Sequence, residues 1–300
     1  MIAAIVQARM GSTRLPGKVM LEAAGKPMLG HLLERLSAAQ TVQCVLVATS
    51  TDPRDDVIAR FCAARGTPVF RGSETDVLDR YYQAAWRYAC STVVRITGDC
   101  PLIDPGIVDA MVVEFLSHRT EYDLVTNRHP LTFPDGLDLD VMPLRALAHV
   151  WRHAREPHQR EHTVPFFWES GMRVHNVEHP EHLFARHRWT LDYPEDFALI
   201  SRLFEALYEP GRVFTMREIL AYLAEHPELP ALNARHLPQE WVRPSRPHSA
   251  GGTPAPTQRP APASGAMGSD SIDPRTHYHR VGQAMRRALT EPARLSPHRR

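Results

Sequence analysis

Short β-branched runs and stretches of helical spacing alternate through the first part of the chain. Ile2 to Ala8 is apolar and ends in a polar, glycine-containing segment, the pattern of a buried parallel strand running into a loop. Met28, Leu32, Leu33 and Leu36 recur at helical spacing behind Pro27, which suits a first helical turn, and predict a helix ending near Gln40. Cys44 to Thr49 reads as the next strand. Asp52 and Pro53 cap a helix carrying Val57, Ile58, Phe61 and Cys62, which Gly66 closes. A strand over Pro68 to Arg71, a helix over Asp76 to Cys90, a strand over Val93 to Thr97 and a helix from Asp104-Pro105 to His118 continue the alternation. Strict alternation predicts right-handed crossovers and a mostly parallel sheet with helices on both faces, an α/β fold.

The regularity weakens after Leu124 to Thr126. Residues 127–140 hold two prolines and a glycine, and a strand over Leu139 to Val141 precedes a helix from Pro143 to Ala154. A helix over Glu161 to Trp168, a strand over Val174 to Val177 and helices over Pro194 to Tyr208 and Met216 to His226 complete the body. From about Arg243 the composition shifts to Pro, Ser, Gly and Ala, which bury too little apolar surface to order a chain. The expected organisation is one folded domain over residues 1–242, a disordered linker over 243–275 and a basic tail over 276–300, with a short helix conceivable within Tyr278 to Leu289.

Charge changes this picture only at the end. The chain carries +1 overall, but Arg243 to Arg300 holds ten Arg against Asp270, Asp273 and Glu291, so the body is acidic. That argues against a nucleic-acid surface on the body. Cys44, Cys62, Cys90 and Cys100 form no CxxC pair, so neither a zinc site nor a disulfide framework is expected. No signal peptide or run of about 18 apolar residues is read, so the expected location is cytoplasmic, with no membrane partner.

Chemistry concentrates in the loop after the first strand, QARMGSTRLPGK, from Gln7 to Lys18. Gly11 and Gly17 permit close backbone approach, Ser12 and Thr13 offer hydroxyls, and Arg9, Arg14 and Lys18 supply three cations. At the carboxyl end of a parallel strand such a loop suits a polyphosphate. It is not a Walker A loop, because Gly17-Lys18 is followed by Val19 instead of a hydroxyl. The chain has only two lysines, Lys18 and Lys26.

QARMGSTRLPGKVM followed by AAGKPMLGHLLERL resembles the N-terminal signature of the cytidylyltransferases that activate 3-deoxy-manno-octulosonate and acylneuraminate, and most of all their relatives in spore-coat polysaccharide synthesis. The resemblance runs from about Met1 to Leu207. It implies a three-layer α/β/α nucleotide-diphospho-sugar transferase fold of the glycosyltransferase-A kind. It also implies transfer of CMP from CTP to a small acidic sugar, release of pyrophosphate, dependence on Mg²⁺, and a homodimer. Arg9, Ser12, Arg14 and Lys18 take phosphate roles by that resemblance. Gln7 joins them in the nucleotide site, and Arg14, Lys18 and Asp99 form the catalytic set.

Two further motifs follow in the same order. TGDCPLIDP, Thr97 to Pro105, sets Asp99 at a strand's carboxyl end, where a carboxylate can hold Mg²⁺, whereas Asp104 before Pro reads as a helix N-cap. RWTLDYPEDFALI, Arg188 to Ile200, resembles the family's late Asp-x-Pro-Glu-Asp sequence and makes Asp192 the second metal ligand. On pattern alone Asp192 is a helix cap, and Glu195 and Asp196 are left to the helix dipole. RGSETDVLDRYYQAA, Arg71 to Ala85, matches the region closing over base and ribose and offers Ser73 and Arg80, although an Arg on an amphipathic helix is ordinarily solvated.

The acceptor side is less defined. FPDGLDLDVMPLR, Phe133 to Arg145, departs from the octulosonate enzymes, and Asp138 and Asp140 read either as site residues or as the outward side of a short strand. Glu161-His162 is a candidate for acceptor binding, and no metal is assigned to His149, His153, His158 and His162. The alternatives are a glycosyltransferase on a similar fold, nucleotidyl transfer to a non-sugar acid such as a phosphonate, and a non-catalytic nucleotide-binding protein.

Overall fold

Ala4 and Val6 of β1 (Ile2–Gln7) pack into one apolar cluster and Ala3 and Ile5 into another, as a strand covered on both faces requires. The computed structural model describes residues 1–238; the expected linker and basic tail lie outside the described residues. After β1 come a 3₁₀ turn at Lys18–Met20, a small ribbon of β2 (Glu22–Ala23) and β3 (Lys26–Pro27), and α1 (Met28–Ser37). Next are β4 (Cys44–Ser50), α2 (Asp56–Ala64), β5 (Val69–Gly72), α3 (Val77–Arg87), β6 (Thr92–Thr97) and α4 (Pro105–Ser117). The second half holds β7 (Leu124–Thr126), β8 (Asp140–Pro143), α5 (Leu144–His153), α6 (Pro157–His162), α7 (Pro165–Glu169), β9 (Val174–Asn176), α8 (Pro194–Leu207) and α9 (Met216–Glu225).

Seven strands form the central sheet in the order β5-β4-β1-β6-β8-β7-β9. Pairs β5-β4, β4-β1, β1-β6 and β7-β9 are parallel, and β8 runs antiparallel to both of its neighbours. Residues of α1, α2, α4, α8 and α9 fill the core on one face; α3, α5 and α7 fill the other. This is the expected α/β/α architecture with a mostly parallel sheet. Leu29, Leu32, Leu33 and Leu36 of α1 are all buried, each contributing about 1.5–3 kcal/mol through apolar burial.

Most expected elements recur within a few residues, and two expectations are corrected. The helix expected over Glu161 to Trp168 is instead two short helices, because Thr163 turns to φ 71 and Pro165 starts a new first turn. The helix expected behind Asp52-Pro53 begins only at Asp56, since Pro53–Asp55 closes as a 3₁₀ turn under the Asp52 side chain. Strict alternation also ends after α4, where β8 inserts between β6 and β7. Its reversed direction brings Asp138, just before β8, to the sheet edge where β6 ends at Thr97 and β7 ends at Thr126.

Candidate active site

That edge holds a cleft of about 550 Å³ lined by the β1 loop, the end of β6, Arg128, Asp135, Asp138, Glu161, His162 and the Arg188–Asp192 segment. The loop is held from below. Buried Asp55 accepts from Met10 N at 2.7 Å, and Gly17 N donates to Met10 O at 3.0 Å. Close strand approach shapes the floor: Gly98 N donates to Gln7 O at 2.7 Å, and a Cβ at Gly98 would sit 2.7 Å from the same oxygen. Only glycine fits there.

Asp99 and Asp192 meet in this cleft although 93 positions separate them in the chain. Leu191 N donates to Asp99 O at 2.8 Å, drawing the two segments together through the backbone. Lys18 Nζ lies between their side chains, 3.0 Å from Asp99 Oδ2 and 2.7 Å from Asp192 Oδ1. Arg14 Nη2 adds a contact of 2.9 Å to Asp192 Oδ2. Burial pushes the Asp99 carboxyl up, but Lys18 and the Thr97 hydroxyl outweigh it and leave the group below the usual carboxylate range. For Lys18, burial opposes the charge and the two aspartates more than offset it, so the ammonium is held above its ordinary value.

Arg188 went unassigned in the sequence and organises the other wall. Its guanidinium reaches Asp135 Oδ2 at 2.8 Å, Asp196 Oδ1 at 3.0 Å and Asp192 Oδ2 at 3.5 Å. Asp196 is fully buried and accepts from Asp192 N and Tyr193 N, both at 3.0 Å, so it fixes the Asp192 backbone as well as capping α8. Gly136, at φ 102, lets the Asp135 loop lie against the Arg188 segment: a Cβ there would come within 2.5 Å of Thr190 N. Its PDG context was the signal for such a turn.

The remaining candidates divide. Gln7, Arg9, Ser12, Arg14, Lys18, Asp99 and Asp192 line the cleft together, with Glu161 and His162 on its rim. Ser73 and Arg80 lie behind it, with Arg80 Nη1 donating to Ser73 O at 2.6 Å. Arg80 is fully buried, which sets aside the alternative of a solvated helix residue, and its Nε and Nη2 have no hydrogen-bond partner. Asp104 is an N-cap: its Oδ1 accepts from Gly106 N at 2.7 Å and its Oδ2 from Met216 N at 2.6 Å.

Beyond Asp99, Arg128 and Asp138 face each other. Arg128 Nε is 3.9 Å from Asp138 Oδ2, too far for a hydrogen bond, and both Arg128 Nε and Asp138 Oδ1 are buried without a partner. Arg95 has a similarly unpartnered Nε, although its Nη1 donates to Asp140 Oδ2 at 2.9 Å. Asp140 is fully buried within the sheet, paired with Arg95 and accepting from Thr126 Oγ1 at 2.7 Å, so of the two aspartates only Asp138 lines the cleft. Burial, tempered by Arg128 and reinforced by Asp135, Asp140 and Asp99, raises Asp138 to about 7. Asp135 is raised to about 6 by burial, against the opposing charge of Arg188.

The family model described as cytidylyltransferase matches residues 3–217 of this chain. The chain belongs to the cytidylyltransferase family. It is similar to the spore coat polysaccharide biosynthesis protein SpsF of Bacillus subtilis, 32% identical over 75% of this chain and 94% of that one. It is 31% identical to a 3-deoxy-manno-octulosonate cytidylyltransferase of Hydrogenovibrio crunogenus, over 57% of this chain and 70% of that one. A solved cytidylyltransferase from Leptospira borgpetersenii superposes with a TM-score of 0.73 at 33% identity, covering 76% and 95% of the two chains. As a cytidylyltransferase the protein is a nucleotidyltransferase, and among the described residues no helix is long and apolar enough to cross a membrane.

Proposed function

We propose that the protein transfers CMP from CTP to an acidic sugar of the octulosonate or nonulosonate kind, releasing pyrophosphate, in the synthesis of a surface polysaccharide. The observation that carries this reading is the meeting of Asp99 and Asp192 on the ammonium of Lys18, inside a loop bearing Arg9 and Arg14. Two carboxylates already gathered around one cation suit a divalent ion. Magnesium is ordinarily held by one or two carboxylates together with substrate phosphates, and this pair would fit that pattern. Asp99 and Asp192 would hold the ion, which would supply Lewis-acid stabilisation of the phosphoryl oxygens.

In this reading the acceptor hydroxyl attacks the α-phosphorus in line as the bond to pyrophosphate breaks. Arg9, Arg14 and Lys18 neutralise charge gathering on the leaving group, and Ser12 orients it. Gln7 faces the nucleotide, while Arg80, held against Ser73, supports the wall behind it. Arg128 and Asp138 support an acid as acceptor: Arg128 Nη1 is ion-paired with Asp140 Oδ2 at 3.6 Å but its Nε is left over and suits a carboxylate, and the unpartnered Asp138 Oδ1 suits a hydroxyl.

Incubating the protein with each of the four nucleoside triphosphates, Mg²⁺ and a panel of acidic sugars, and following pyrophosphate, tests the reading. Release is expected only where CTP and an acidic sugar are both present. Equal release from all four nucleotides, or release from CTP with neutral sugars alone, would overturn the cytidylyl or the acid assignment respectively.

A further inference from the structure

The loop's cations sit on the metal ligands. Lys18 bridges Asp99 and Asp192, and Arg14 holds the second oxygen of Asp192, so two positive side chains already match two negative ones. Both aspartates are largely removed from water, and there an uncompensated carboxylate is costly. A divalent ion arriving alone must therefore compete with an ammonium already in place. The displaced ammonium would exchange two charge-assisted hydrogen bonds to carboxylates for hydration.

A metal–triphosphate complex meets a different balance. Its phosphates offer Lys18 and Arg14 new acceptors while its metal takes over the carboxylates, so each charge exchanges one partner for another. The backbone allows this. Lys18 lies in a 3₁₀ turn behind Gly17, and its stem of four methylenes lets the ammonium move while the turn stays fixed. Asp192 keeps its orientation during the exchange because Arg188 and Asp196 hold it from the other side.

Resting on the two-carboxylate reading of the site, we propose that Lys18 is an exchangeable internal counter-ion that excludes free divalent metal and admits it only together with a triphosphate. Lys18 thus determines specificity as well as binding phosphate: a ligand that cannot receive its ammonium does not open the metal site. Metal and nucleotide binding are coupled through this one side chain, and such couplings are typically about 5- to 150-fold in affinity.

The test titrates Mn²⁺ into the full chain and follows the free-ion electron paramagnetic resonance signal, with and without CTP and with no acceptor present, each CTP titration being corrected by one of CTP without protein, because the triphosphate itself binds Mn²⁺. In the wild type Mn²⁺ alone should bind weakly, and CTP should tighten it by a factor in that range. Lys18→Met should bind Mn²⁺ alone more tightly than the wild type and lose most of the tightening by CTP. Lys18→Gln keeps hydrogen bonds to the carboxylates without the charge, and should fall between the two. Asp192→Asn in the Lys18→Met background should lose the gain, which assigns the ion to this site. Thermal melts with and without Mn²⁺ cover a poorly folded variant, because a rescue of Lys18→Met by Mn²⁺ larger than that of the wild type reports the same exchange. If Lys18→Met binds Mn²⁺ alone no more tightly than the wild type and gains no larger rescue, the proposal is overturned. Failure of CTP to tighten Mn²⁺ in the wild type, with Lys18→Met still binding the ion more tightly, would count against the triphosphate reading and leave Lys18 as a counter-ion.

Discussion

At the loop end of the cleft Lys18 lies within 3.0 Å of two carboxylates, whereas at the acceptor end Arg128 and Asp138 stand 3.9 Å apart with buried polar atoms unpartnered. The loop end closes its own charge balance. Burial is outweighed there by matched ion pairs, and Asp99 stays ionised below its usual range. At the acceptor end burial is not outweighed, and Asp138 rises to about 7. Under the proposed function the difference shows how a single cleft would prepare for two substrates: one end would exchange cations with a metal–phosphate ligand, and the other would keep polar atoms in reserve for a ligand that supplies their hydrogen bonds.

The largest effect should come from the closed end. Asp99→Asn and Asp192→Asn should each lower turnover by about 10²- to 10³-fold, the usual loss when one preorganised electrostatic contact is removed. Circular dichroism should show the fold retained. A variant with wild-type turnover would reduce its carboxylate to a structural role.

At the open end Arg128→Gln should raise the KM for the acidic acceptor by about 10- to 150-fold, the worth of a charge-assisted hydrogen bond of about 1.5–3 kcal/mol, and leave the KM for CTP near its wild-type value. A change in the CTP constant instead would merge the two ends into one nucleotide site.

A smaller effect concerns stability. Because the folded value of Asp138 lies above its unfolded value, the folded chain holds a proton that the unfolded chain releases as pH rises from about 4. The stabilisation is therefore complete at low pH and lost as pH rises through about 7. Asp138→Asn should melt higher than the metal-free wild type at pH 8 and close to it near pH 4, a tenfold difference in proton affinity between folded and unfolded chain being worth about 1.4 kcal/mol. Equal melting differences at both pH values would show that the aspartate ionises freely.

How much of this was legible follows the range of the interactions. The loop Gln7 to Lys18 was readable as part of the cleft because glycines, hydroxyls and cations of the kind a phosphate site would use fall within one short segment. Asp99 and Asp192 were readable as motifs, but their meeting depends on Leu191 N finding Asp99 O, a contact no local pattern states. Arg188 was hidden for the same reason: its partner Asp135 lies 53 positions earlier. The burial of Arg80 could not be read from periodicity, since a polar residue on an amphipathic helix gives no sign that neighbouring strands cover it. The second half was less readable because β8 runs against the sheet and the Thr163 turn splits a helix that its apolar residues suggest is continuous.

The most direct test of the two-carboxylate site is the anomalous signal of Mn²⁺ in crystals grown with CTP. The account predicts one ion bound by both Asp99 and Asp192, with the Lys18 ammonium moved from between them onto the triphosphate. An ion held away from either aspartate, or Lys18 still bridging the pair with nucleotide bound, would contradict it.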